Sequence, residues 1–196
     1  MTMNLTDPGE VLLTGENPIM RIYTDPAGQP STMASVWRIS ISPGGPGNVL
    51  FLKSAEVTNN EPLIYTDNLN MCRWLQGRII NQRWAPFNDA SLPANYATFT
   101  PSGDPRWFHK ETISAPGDEI ELTWYDLIES YCVIQAPAQG SDLGHYALHI
   151  PAKRVQVTRN GKLAAGDAIP QEREGRPTSS AFLAWAETWV AVRGEK

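Results

Sequence analysis

The stretch "PRWFHKETISAPGDEIELTWYDL", Pro105 to Leu127, holds two runs of alternating side chains around one turn signal. In the first run Trp107, His109, Glu111 and Ile113 share a face. In the second, Ile120, Leu122 and Trp124 do so, and the next place on that face belongs to Asp126. A period of two marks a half-buried strand, and "APGDE" between the runs carries Pro and Gly where a chain reverses. If the second strand persists to its end, Asp126 is held inside. If it stops at Tyr125, Asp126 caps the following turn.

The same grammar extends in both directions. Sixteen prolines and fifteen glycines punctuate the chain at "DPAGQP", "SPGGPGN", "TPSGDP" and "APAQGSDLG". Between them lie "PIMRIYT", "ASVWRISIS", "NVLFLKSAEV", "NYATFT", "YCVIQ", "HYALHI" and "KRVQVT", each an alternating run. The second and third flank "PGGPG" and read as a hairpin, and "RNGK" after the last run has the Asn-Gly of a tight turn. About eight or nine short strands with regular turns predict an antiparallel barrel or a sandwich. Two segments read as helices. Leu69, Cys72, Leu75 and Ile79 recur at helical intervals behind Thr66 or Asp67 as a cap. Near the end, Phe182, Trp185, Trp189 and Val192 form a stripe behind Thr178 or Ser179, and Arg193–Gly194 closes it. The organisation expected is one domain over 1–196: barrel about 10–165, exposed loop about 166–177, C-terminal helix about 178–193.

A hydrophobic share of 41% and a charged share of 19% suit an ordinary soluble chain able to bury a core without staples. The net charge of -5, with scattered Lys and Arg, argues against a nucleic-acid surface. Cys72 and Cys132 lie in apolar stretches and read as free, buried thiols. "MTMNLTDPGEVLL" lacks the parts of a signal peptide, and no apolar run approaches the ~18 residues of a membrane span, so a cytoplasmic, membrane-free protein is expected. A homodimer is compatible with this composition.

A closed antiparallel barrel with a C-terminal helix on its outside resembles the calycin plan that lipocalins use. The Gly-x-Trp of lipocalins is absent, since Ser35 stands two before Trp37, and the mid-chain helix is foreign to that plan. "SAPGDEIEL" is similar to the Pro-x-Gly turn of cupins, which implies a metal site built from His109, Glu111 and a later histidine. Here His-x-Glu replaces the cupin His-x-His.

Several side chains are candidates for chemistry. His109 and Glu111, about 7 Å apart along a strand, can serve one ligand. Asp126, if buried, would have a raised pKa and act as an acid or base near neutral pH. His145 and His149 are roughly 13 Å apart on a strand, too far to share a metal, so either would carry a proton alone. Trp107, Trp124, Tyr125, Tyr131 and Trp37 are the expected walls of a substrate cavity. No phosphate-binding glycine loop, nucleophile elbow, Cys-x-x-Cys or His-Glu-x-x-His is present. The expectation is therefore an enzyme without cofactor: a lyase, isomerase, hydratase or cyclase. It would move protons on a small hydrophobic or aromatic molecule, with Asp126, His109, His149 and Glu111 as the catalytic groups. Two alternatives are a non-catalytic binder of a hydrophobic metabolite or carbohydrate, and the cupin-like metalloenzyme.

Overall fold

The computed structural model describes residues 10–82, 84–104, 106–135 and 143–191. Two short strands open it, β1 (Glu10–Glu16) and β2 (Ile19–Ile22), and both run antiparallel to β3 (Thr32–Ile41). β3 and β4 (Gly47–Ser54) form the hairpin that "PGGPG" predicts, with Trp37 opposite Val49. β5 (Leu63–Thr66) leads into the expected mid-chain helix, α1 (Leu69–Arg78). Its cap is Asn68, whose side chain accepts from the Met71 amide at 3.2 Å. The two expected caps are engaged elsewhere: Asp67 accepts from the Asn48 amide, and the Thr66 hydroxyl donates to the Asn48 carbonyl. A Cβ on Gly44 would stand 2.5 Å from Met71 Cα, so the glycine lets the β3–β4 turn lie against the helix start.

The chain continues through β6 (Ala94–Tyr96), parallel to β5, and β7 (Thr98–Asp104). β8 (Phe108–Ala115) and β9 (Asp118–Leu127) are the two alternating runs of the opening stretch, turning at Gly117 with φ +81°. β10 (Tyr131–Gln135) precedes β11 (Leu143–Arg159), which merges the two runs "HYALHI" and "KRVQVT" into one strand. Asn160 and Gly161, both at positive φ, then make the tight turn into β12 (Lys162–Leu163). The stretch expected as an exposed loop is exposed for most of its length. It carries a small hairpin of β13 (Pro170–Arg173) and β14 (Arg176–Ser179) before the final strand, β15 (Ala181–Ala191).

Thirteen strands join in one mixed sheet with the path β6-β5-β4-β3-β1-β15-β11-β9-β8-β7. β2 bridges β15 and β3, while β10 and β12 pair with β11. The sheet is strongly curled. Arg38 on β3 bonds Glu111 on β8 although four strands separate them on the path, and Tyr65 on β5 reaches Asp118 on β9. The concave face gathers Val36, Leu50, Tyr65, Ile113, Leu122, Trp124 and Leu183 into one apolar layer. The outer face of β3, β4 and β5 packs Trp37, Val49, Phe51 and Ile64 against Met71, Cys72, Leu75 and Ile79 of the helix segment. By ~25 cal/mol per Å², each large aliphatic side chain in these layers contributes on the order of 2 kcal/mol.

The architecture is mainly β, and α1 is the one α-helix among the described residues. The C-terminal helix expected over 178–193 is a strand instead; its predicted end, Val192 with Arg193 and Gly194, lies outside the described residues. The helical spacing arose because β15 packs on both faces, Phe182 and Trp189 on the groove side and Trp185 on the concave side, with a bulge between. Tyr146 pairs with Thr188 and Leu148 with Trp185, so β15 carries one extra residue there, and Ala186 sits at φ +51°. Before the bulge Ala181, Leu183 and Trp185 join the concave layer; after it Trp189 and Ala191 join the outer one. This change of phase puts Trp185 and Trp189, four apart, on opposite faces of the sheet, where a helix would have put them on one. Cys132 is exposed rather than buried, and both described thiols are free. Among the described residues no helix is long and apolar enough to cross a membrane.

Candidate functional site

The expected site residues separate into three places. Within the curl, His109 Nε2 lies 2.9 Å from Glu111 Oε1, and Arg38 donates to both Glu111 oxygens at 3.0 and 2.8 Å. Glu111 has no exposed surface, and His109 is packed between the rings of Trp124 and Trp185 at 5.8 and 6.1 Å. The strand alternation that put His109, Glu111 and Trp124 on inward faces is thus correct, and Arg38, one alternation beyond Val36, is the partner that sequence reasoning missed. Both oxygens of this carboxylate are engaged, Oε1 by the imidazole and the guanidinium and Oε2 by the guanidinium, one of whose nitrogens bridges the two. This constellation joins two sides of the sheet and offers little free capacity for a substrate.

On the surface lie three residues expected in the cavity. Trp107 is 70% exposed. Tyr125 stacks on Phe108 at the outer side of β9 and bonds Gln156. Asp126 is the largest correction: its backbone takes φ +51°, which turns the side chain outward onto Arg154 at 2.6 Å. The guanidinium holds the carboxyl below the usual carboxylate range, opposite to the raised value that burial would cause. The strand continues to Leu127, yet the aspartate leaves the core.

The third place is a groove of about 390 Å³ on the outer face of the sheet. Its floor crosses successive strands: Ser35 and Trp37 from β3, Ile19 and Arg21 from β2, Phe182, Glu187 and Trp189 from β15, and His145 and His149 from β11. Ile79, Ile80 and Trp84 beyond α1 form one wall, and Gln135 and Arg173 contribute from β10 and β13. The bulge at Ala186 is what turns Glu187 and Trp189 to this side.

Both histidines of β11 lie flat on aromatic rings. His145 stacks on Trp189 with centroids 4.8 Å apart, and His149 stacks on Phe182 at 4.3 Å. Tyr131 touches His149 edge-on, and its hydroxyl is bonded to Thr178 at 2.9 Å. Burial pushes the His149 imidazole down to about 4, with smaller contributions from His145 and Arg173, so it is neutral at neutral pH. Polar groups are distributed between these rings. Ser35 Oγ donates to Asn17 Oδ1 at 2.8 Å, the Trp189 indole donates to Glu187 at 2.7 Å, and the Arg21 guanidinium lies 5.7 Å over the Trp84 ring.

Of the expected residues, Trp37 and His149 line this groove and Tyr131 abuts it. Asn17, Arg21, Trp84, Phe182, Glu187 and Trp189 were missed, because they come from segments with no common motif. The later histidines stand on the outer face while His109 and Glu111 face inward. Among the described residues no group of three His, Cys, Asp or Glu side chains can hold a metal ion, so the cupin-like ligand set does not assemble. In comparison with known proteins, the chain matches no family model, and no curated protein or solved structure is significantly similar to it.

Proposed function

We propose that the protein binds a small aromatic or hydrophobic molecule in the outer groove and transfers a proton on it, with His149 as the proton carrier and no cofactor. The observation that carries this reading is the pair of buried imidazoles stacked on Trp189 and Phe182 in the wall of a cavity of small-molecule size. A flat substrate fits such walls, because aromatic faces pack offset or stacked at 4.5–7 Å, roughly the spacing these rings already adopt. A neutral imidazole takes a proton from a carbon beside a carbonyl. The C–H bond's electron pair then moves into the carbonyl π system, and the imidazolium returns the proton at the same carbon or, where an alkene extends the enolate, at the far (γ) end of the conjugated system. Glu187, 4% exposed and bonded to the Trp189 indole, brings a carboxylate to the same groove.

The reading includes a fold-level element. β6 and β7, the two ends of the hydrogen-bonded path, are consecutive in the chain with only Ala97 between them. Together with the Arg38–Glu111 and Tyr65–Asp118 contacts, this supports a sheet closed into a calycin-like barrel whose interior is filled and whose site lies outside. A second reading, binding without chemistry, is favoured by the lowered basicity of His149.

Deuterium uptake separates the two. Aromatic ketones and enones are incubated with the protein in D2O and followed by NMR at carbons next to the carbonyl. Proton transfer predicts uptake that His149→Gln reduces by about 10²–10⁴-fold. Binding seen as tryptophan quenching, without uptake, would leave only the carrier.

A further inference from the structure

Trp37 holds an unused donor. The side chain is 3% exposed and lines the groove, yet its indole N–H has no hydrogen-bond partner among the described residues. A buried N–H without an acceptor is destabilising, because its lost hydration is not replaced. The other groove tryptophan on the sheet floor shows the usual arrangement, since the Trp189 N–H is answered by Glu187. Two further donors line the same groove. Ser35 occupies Asn17 Oδ1, and no acceptor among the described residues meets the Asn17 amide nitrogen; Asn17 is itself buried at 3%. Arg21, two residues beyond Ile19 on the same face of β2, brings a positive charge held over Trp84. Ile19 pairs with Ser35 and Arg21 with Met33, so Asn17 lies toward the Trp37 end of this strand pair and the Arg21 backbone toward the other.

From these observations we infer that the groove's ligand is a small aromatic carboxylate. Its ring packs against the stacked His145–Trp189 and His149–Phe182 walls, and its carboxylate accepts from the Trp37 N–H and the Asn17 amide beside the Arg21 guanidinium. The inference rests on the groove being the binding site. A carboxylate fits better than a neutral carbonyl for two reasons. It has acceptor sites enough for several donors at once, and charge-assisted bonds are about twice as strong as neutral ones. A phosphate monoester would share the anionic chemistry, but its three strong acceptor oxygens and nearly two charges would call on both groove guanidiniums, and Arg173 acts on His149 instead.

The test compares each acid with its own alcohol: cinnamate with cinnamyl alcohol, and indole-3-acetate with indole-3-ethanol, by calorimetry on the intact protein. The acids are expected to bind about tenfold or more tightly than the alcohols. Trp37→Phe, which keeps the ring but loses the donor, should remove most of that preference while changing alcohol affinity less than about twofold. Arg21→Met, on a half-buried surface position, should do the same and serves if Trp37→Phe does not fold. Acids and alcohols binding equally, with neither variant changing the ratio, would overturn the carboxylate assignment and leave the groove as a site for neutral aromatics. Failure of both acids and alcohols to bind would overturn the groove itself.

Discussion

The inside of the curled sheet and its outer groove each set a histidine among aromatic rings, and they treat it in opposite ways. His109 is given a carboxylate, which in turn is given a guanidinium, so each member of this triad meets a polar partner. His149 is given two aromatic neighbours and none of the described carboxylates as a bonded partner, so it remains neutral. The first arrangement is how a protein holds a charge it must bury. The second leaves a proton acceptor beside open space. Acid–base residues alone therefore do not identify a site; what matters is whether their capacity is already taken.

The comparison can be broken most directly at Glu111. Glu111→Ala would leave His109 without its carboxylate and Arg38 with the 3.5 Å contact to Glu16 as its remaining described ion pair, and should cost ~3 kcal/mol of unfolding free energy in urea titrations. His149→Phe should leave stability at pH 7 nearly unchanged. A tolerant Glu111→Ala protein would mean the inner cluster is not a structural tie.

Acid sharpens the same contrast. The folded-state value of about 4 for His149 lies below the ordinary 6.5, so the unfolded chain takes up the proton first. The corresponding stability is fully present above pH 6.5 and falls as the pH drops through 6.5 toward 4, by roughly 3 kcal/mol in total. Urea midpoints at pH 7 and pH 4.5 should differ less in His149→Phe than in the wild type. Identical pH dependence in both would show that this imidazole is not buried neutral.

A smaller effect belongs to the place where β1 crosses β3. A Cβ on Gly15 would fall 2.2 Å from the Arg38 carbonyl, so Gly15→Ala must move one backbone and should cost ~1–3 kcal/mol. The loss should be accompanied by weaker ligand binding, since Asn17 and Trp37 flank that crossing. The smallest expected change is Ala186→Gly. It relieves a positive φ in the bulge, against the added freedom of glycine when unfolded, and should raise stability by ~0.5–1 kcal/mol with the groove intact. A destabilised protein would show that the bulge depends on the alanine side chain.

How much of this was legible follows from where the side-chain period is kept. In β8 and β9 the alternation is unbroken from His109 to Trp124, and the inward set His109, Glu111, Ile113, Ile120, Leu122 and Trp124 could be read directly. At Asp126 the sign of φ changes, and an aspartate tolerates that without leaving a mark that periodicity can detect. In β15 both faces are apolar, so a strand imitated a helix, and the bulge shifts the alternation so that Glu187 was not seen as a groove residue. The groove was half-visible. Trp37 and His149 stood on apolar strand faces, but Asn17, Arg21, Trp84 and Phe182 meet only because β2, β3, β11 and β15 lie side by side, and no local pattern encodes that adjacency.

That adjacency also sets the order of events when the chain folds. β1 pairs with β15 through Gly15 and Glu187, more than 170 positions apart, and the groove draws Asn17 from one side of this seam and Trp189 from the other. The helix and the β3–β4 and β8–β9 hairpins can form early from neighbouring residues, whereas the seam must wait until β15 has emerged from the ribosome. Folding dominated by such distant pairings runs in milliseconds to seconds rather than microseconds. Ligand-binding competence should therefore appear in the last kinetic phase, after most helix and hairpin signal has developed, and an aromatic ligand that bridges the seam should slow unfolding more than it speeds folding.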